Sequence, residues 1–115
     1  MVSARGIRLA GGNVTYAGRV EVYMAGVWGT IRNQGWNIKA SNVACRQVGY
    51  QGAKSAILSS VETFGKGEGP VWISGLNCEG HEESLWECSW PKVAGIYWDH
   101  DNDAGVVCQE NDSRK

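Results

Sequence analysis

Between residues 18 and 24 the chain alternates strictly. Val20, Val22 and Met24 fall on one side and Arg19, Glu21 and Tyr23 on the other, the period of a half-buried strand. Gly26 turns the chain, and residues 27–31, V-W-G-T-I, read as the returning arm of a hairpin. Ahead of it, Ile7 and Leu9 before Gly11-Gly12 make a short strand and a turn. The period changes at residues 37–50, N-I-K-A-S-N-V-A-C-R-Q-V-G-Y. Asn37 suits a helix cap, Ile38, Ser41, Ala44, Cys45 and Val48 form one small, mostly apolar stripe, and Gly49 supplies a left-handed stop. Cys45 lies inside that stripe and points at whatever core the helix covers. Residues 51–69 show little periodicity, residues 71–73 read as a strand, and residues 104–108 as a last one. Residues 80–88, with acids in the first turn, predict a short helix flanked by Cys78 and Cys88.

Composition narrows the picture. A chain of 115 residues builds about one domain with one modest core. Sixteen glycines and a single long helical pattern indicate a turn-rich fold made mainly of strands, with six tryptophans supplying bulk. No apolar run approaches the roughly 20 residues that cross a bilayer. Met1 precedes V-S-A-R-G without the apolar stretch of a signal peptide, so residues 1–4 are read as linker or expression residues, 5–109 as the domain and 110–115 as a tail.

The four cysteines contain no C-x-x-C pair, so disulfides are a better account of them than zinc or a thioredoxin-type site. Three pairings are possible. Locality favours Cys78 with Cys88, leaving Cys45 with Cys108, worth on the order of 2–3 and roughly 4 kcal/mol in the chain-entropy model. The sequons at Asn13 and Asn111 agree with an oxidising, extracellular setting. Residues 1–67 carry eight Lys or Arg against two acids, and residues 68–115 three against ten, a bipolar surface if the halves stay apart and a mixed one if their strands pair.

Seven ordered blocks now stand together: G-R-V-E-V-Y at 18–23, W-G-T at 28–30, N-V-A-C-R-Q-V-G-Y at 42–50, F-G-K-G-E-G-P-V-W at 64–72, L-N-C at 76–78, S-L-W-E-C at 84–88 and D-A-G-V-V-C at 103–108. They resemble the scavenger receptor cysteine-rich (SRCR) domain over nearly the whole chain. The resemblance implies an α+β fold in which a curved antiparallel sheet cradles one main helix, with a second short helix, held by disulfides Cys45–Cys108 and Cys78–Cys88. It also implies an extracellular setting, secreted or as part of a membrane protein. Relatives usually carry a further cysteine pair where this chain has Arg32 and Trp98, and Tyr50 stands at one position of another, optional pair. A cation-π stack of Arg32 on Trp98, worth about 0.5–2 kcal/mol, is the expected partial replacement.

The same resemblance places a family cation site at Asn33, Gln34 and Asn102. Neutral amides offer carbonyl oxygens but no charge, so that site is expected to be lost. A second acidic site meets Ser74 and Gly75 and is equally doubtful. Asp99, Asp101 and Asp103 crowd three carboxylates into five residues, a weak calcium candidate set against a solvated acidic turn.

Enzymatic chemistry has little support, since His81 and His100 lack a nucleophile in a recognisable elbow. The glycine alternation at residues 65–69 lacks the G-K-[ST] ending of a phosphate loop. An acidic second half argues against nucleic acid. Trp28, Trp36, Trp72 and Trp86 are expected in the core, which leaves Trp90 and Trp98, with Arg32 and Lys39, as candidate ligand contacts. Arg5, Arg8, Arg19, Arg46, Lys54 and Lys66 join Arg32 and Lys39 in a basic set whose convergence is a matter for the fold. The function these readings imply is an extracellular module that binds a macromolecule, either a microbial or modified polyanion or a host surface protein, without calcium, any other cofactor or membrane insertion. The alternative is an accessory domain of a secreted enzyme or adhesion protein.

Overall fold

The structure is a computed structural model that describes residues 6–91 and 99–110. The hairpin forms where the alternation placed it: β2 (Ala17–Met24) returns through Ala25 and Gly26, both at positive φ, into β3 (Val27–Ile31), with Met24 opposite Val27. Two left-handed central residues match the twist of the strands that they join. β1 (Ile7–Ala10) pairs antiparallel with β2, Arg8 facing Glu21 and Ala10 facing Arg19.

The main helix, α1 (Ile38–Gln47), is capped by the Asn37 side chain, which accepts from the Ala40 N–H at 3.0 Å, and Gly49 follows at φ 110°. Its buried face is Ala40, Ser41, Val43, Ala44 and Cys45. Ile38, expected on that face, is 45% exposed, because at 100° per residue the buried face centres on Ala40, Ser41 and Ala44 and leaves the first residue of the helix at its margin. The helix covers Val20, Val22, Ile31, Ile73, Leu76 and Val106, and Trp36 joins them with its indole N–H donating to the Gly105 carbonyl at 3.0 Å.

The stretch that lacked periodicity contains two elements, β4 (Ala53–Ile57) and α2 (Val61–Phe64). Among the described residues β4 pairs only with β6 (Gly105–Cys108), at the sheet edge, and an edge strand of half-buried, mostly small residues leaves no strong pattern in sequence. β5 (Val71–Ile73) runs parallel to β3, so the sheet is mostly, not wholly, antiparallel, in the order β4-β6-β2-β3-β5 with β1 on β2.

The predicted helix at 80–88 shrinks to a 3-10 turn, Leu85–Glu87, capped by Ser84. Its first half is consumed otherwise. The buried Glu82 carboxylate accepts from the N–H groups of Glu79 and Gly80 at 2.8 and 2.9 Å, and Arg46 of α1 takes the carbonyls of Gly80 and Glu82 at 2.7 and 2.9 Å. Two disulfides close the fold, Cys45–Cys108 between α1 and β6 and Cys78–Cys88 around the 3-10 turn.

Candidate functional site

The outer face of the hairpin carries the polar half of the alternation. Cross-strand register sets Arg8, Glu21 and Thr30 in one row, Ala10 and Arg19 in the next, and Tyr23 beside Trp28. Such a face normally meets water. Here residues 64–70 fold over part of it, so Glu21 is only 5% and Thr30 0% exposed.

Glu21 organises the face. Its Oε1 accepts from Arg8 at 2.7–2.8 Å and its Oε2 from Arg19 Nε at 2.9 Å. A buried carboxylate between two guanidiniums is compensated on both sides. Arg19 Nη1 also donates to the carbonyls of Phe64 and Gly65, both at 2.9 Å, which pins the covering segment. Arg8 lies over the Trp28 ring at 4.1 Å, and Trp28 meets Tyr23 in a tilted contact at 5.2 Å.

The far end of the covering segment is held by the 99–103 turn. Asp103, 1% exposed, accepts from the Gly67 N–H at 2.8 Å. His100 Nε2 donates to the Gly69 carbonyl at 2.8 Å, while Nδ1 lies 3.0 Å from Asp103 and 3.2 Å from Thr30 Oγ1. Lys66 pairs with Asp101 at 2.8 Å. This pair holds the ammonium above its ordinary pKa and the Asp101 carboxyl below its own. Together Arg8, Ala10, Arg19, Glu21, Trp28, Lys66, Glu68 and Gly69 line an open pocket of about 390 Å³.

The residues singled out from sequence fare unevenly. Of the three aspartates, Asp99 and Asp101 are exposed in the turn and Asp103 turns inward. Asp103 is buried, Asp101 is paired, and Asp99 accepts from the Asp101 N–H at 3.1 Å. Among the described residues they make no cluster with donors close enough to share an ion. The one group of that kind, Cys78, Glu82 and Cys88, has both sulfurs in a disulfide.

The amide positions Asn33, Gln34 and Asn102 do gather, with Asn33 N–H donating to the Asn102 carbonyl at 2.8 Å. They do not suit a cation. Arg32 Nη1 donates to Gln34 Oε1 at 3.2 Å and Ser74 Oγ lies 3.3 Å from the same oxygen, so a guanidinium already stands where an ion would need carboxylates.

Trp90 is half-buried against the core and meets Trp86 at 6.2 Å. Trp36 is buried and Trp72 and Trp86 flank the core, but Trp28 belongs to the opposite face, against expectation. Lys39 is exposed on the first turn of α1, and Asn13 is exposed in the β1–β2 loop. The Arg32–Trp98 stack and the Asn111 sequon lie outside the described residues. Of the basic set, Arg8, Arg19 and Lys66 converge, and Arg46 is spent on the Gly80 and Glu82 carbonyls.

A hairpin feeding a single capped helix, two disulfides and the seven sequence blocks agree with one family. The model of the scavenger receptor cysteine-rich domain matches residues 10–109. The chain belongs to the SRCR family.

The third SRCR domain of murine neurotrypsin superposes with a TM-score of 0.81 at 39% identity, covering 90% of this chain and 95% of that one. The SRCR domain of mouse MARCO, solved in a dimeric form, gives 0.71 at 33% identity over 95% and 92%. Among curated relatives, macrophage scavenger receptor types I and II of Bos taurus is 39% identical over 89% of this chain and lysyl oxidase homolog 2 of Mus musculus 45% identical over 90%. The matched segment spans only 22% and 13% of those two proteins. This SRCR domain is thus an extracellular interaction module, and among its described residues no helix is long and apolar enough to cross a membrane.

Proposed function

We propose that this domain is a binding module, not a catalyst, which recognises a polyanionic extracellular macromolecule through the Arg8–Arg19–Lys66 face and does so without calcium. The observation that carries the reading is the convergence of three basic side chains from three separate segments on one pocket. The poor fit of the amide cluster to a cation supports the second half. Recognition then rests on charge, which salt screens and chelators leave alone.

The test is binding of immobilised dextran sulfate by the wild-type domain. Affinity is expected to fall roughly tenfold or more between 50 and 200 mM salt, to be unchanged by EDTA, and to fall in Arg8→Ala/Lys66→Ala. Loss of binding in EDTA, or an unaffected double variant, would contradict the proposal.

A second reading has its own support. The 45% identity to lysyl oxidase homolog 2 lies in a segment making up 13% of that protein, which fits a domain that serves as an accessory to a neighbouring enzyme. An absence of dextran sulfate binding even at low salt, together with an enzyme domain encoded alongside, would favour it.

A further inference from the structure

The pocket supports a narrower statement, which rests on the reading of this face as the binding face. Its lining is not uniformly basic: Arg8, Arg19 and Lys66 stand with Glu21 and Glu68, and Lys66 is paired at the rim with Asp101 at 2.8 Å. The cations are also unequal. Arg19 has an 11% exposed side chain and is committed to Glu21 and two backbone carbonyls. Arg8 has a 49% exposed side chain, held at one edge by Glu21 and beneath by Trp28, so it is fixed in place and still open to a ligand. Glu68 is exposed, and among the described residues its carboxylate has neither a hydrogen-bond nor an ion-pair partner.

We propose that this pocket takes one carboxylated sugar unit, of the uronic- or sialic-acid kind, with its carboxylate on Arg8 and Lys66 and its hydroxyls donating to Glu68. A guanidinium edge matches a carboxylate in geometry and charge. Because Lys66 also pairs with Asp101 at 2.8 Å, the charges about the pocket balance, and a ligand carboxylate takes the place of Asp101 on Lys66, while a second anionic group within the same space would face Glu68. A carboxylate at the rim is satisfied by hydroxyl donors, which a sugar supplies and a bare anion does not. The volume of about 390 Å³ lies in the range of small-ligand sites, so a polymer seats one unit here and runs across the mouth.

The experiment is an NMR titration of the whole ¹⁵N-labelled domain with glucuronic acid, observing the Trp28 indole and Arg8 side-chain resonances, with glucose and acetate as controls. Glucuronate is expected to saturate these shifts at a concentration at least tenfold below either control. Arg8→Gln should weaken it at least tenfold. Glu68→Gln should weaken it severalfold and leave acetate unchanged. Acetate as effective as glucuronate, no saturable shift, or indifference to Arg8→Gln would overturn the proposal. The two levels separate cleanly. Dextran sulfate binding that depends on Arg8, with glucuronate silent, removes the sugar site and keeps the charged face. Glucuronate binding with dextran sulfate unaffected by Arg8→Gln keeps the sugar site and removes the face.

Discussion

Gly67 shows how narrow the tolerance is where the covering segment meets the sheet. A Cβ there would lie 2.4 Å from Thr30 Cγ2, and 3.1 Å from both Arg19 Nε and Asp103 Oδ2. Thr30 is β-branched and fully buried, so it cannot swing aside. Gly67→Ala is expected to cost about 1–3 kcal/mol of stability by overpacking, measured by urea denaturation. Asp103 is the matching anchor. Asp103→Ala leaves the Gly67 N–H without its acceptor and is expected to cost roughly 1–3 kcal/mol. It should also weaken polyanion binding, because residues 66–69 form a wall of the pocket. Denaturation and dextran sulfate binding on the same variant check both halves of that expectation.

At the scale of elements, the 78–88 loop joins a disulfide to a titratable turn. The Glu82 carboxyl is held below its ordinary pKa, above all by the Glu79 N–H and further by the Gly80 N–H. A group with a depressed folded pKa stabilises the native state above its unfolded pKa and loses that contribution as pH falls through the folded value. The loop is therefore expected to loosen first on acidification. Hydrogen exchange of the Glu79 and Gly80 amides should accelerate, after correction for intrinsic rates, as pH drops below the ordinary glutamate range. Glu82→Gln should abolish that pH dependence. The sequence suggests a helix here because its acids look like N-terminal helix acids. In three dimensions Glu82 instead binds the backbone behind it, and Arg46 takes two of the carbonyls that a helix would use. In α1 the local signals suffice. Asn37, the small buried residues and Gly49 define its ends, and Asn37→Ala should cost about 1 kcal/mol by thermal denaturation.

For the molecule as a whole, the two disulfides are unequal. Cys45–Cys108 spans 63 residues and Cys78–Cys88 spans 10. In the chain-entropy model these loops contribute roughly 4 and about 3 kcal/mol. Replacing Cys45 and Cys108 together by Ala is expected to destabilise the domain more than replacing Cys78 and Cys88, as read from denaturant midpoints. The order follows also from position, since the long bridge ties α1 to β6 at the centre of the core and the short one closes a peripheral loop.

The sequence by itself determined the hairpin, the capped helix and the last strands, because each rests on near neighbours: a period of two, a cap three residues from its donor, a glycine after a helix. It also offered Arg19, Glu21 and Tyr23 as one polar face. What it did not disclose is that Arg8 would stand opposite Glu21, that Trp28 would leave the core to lie beneath Arg8, or that residues 64–70 would fold over Thr30. Those facts depend on strand register and on a loop's path, which long-range pairing sets and no local period encodes. The tertiary structure alone decided that the basic residues meeting in one place are Arg8, Arg19 and Lys66, 58 positions apart at the extremes. Charge converges where the sheet and its cover bring it, whatever the spacing along the chain.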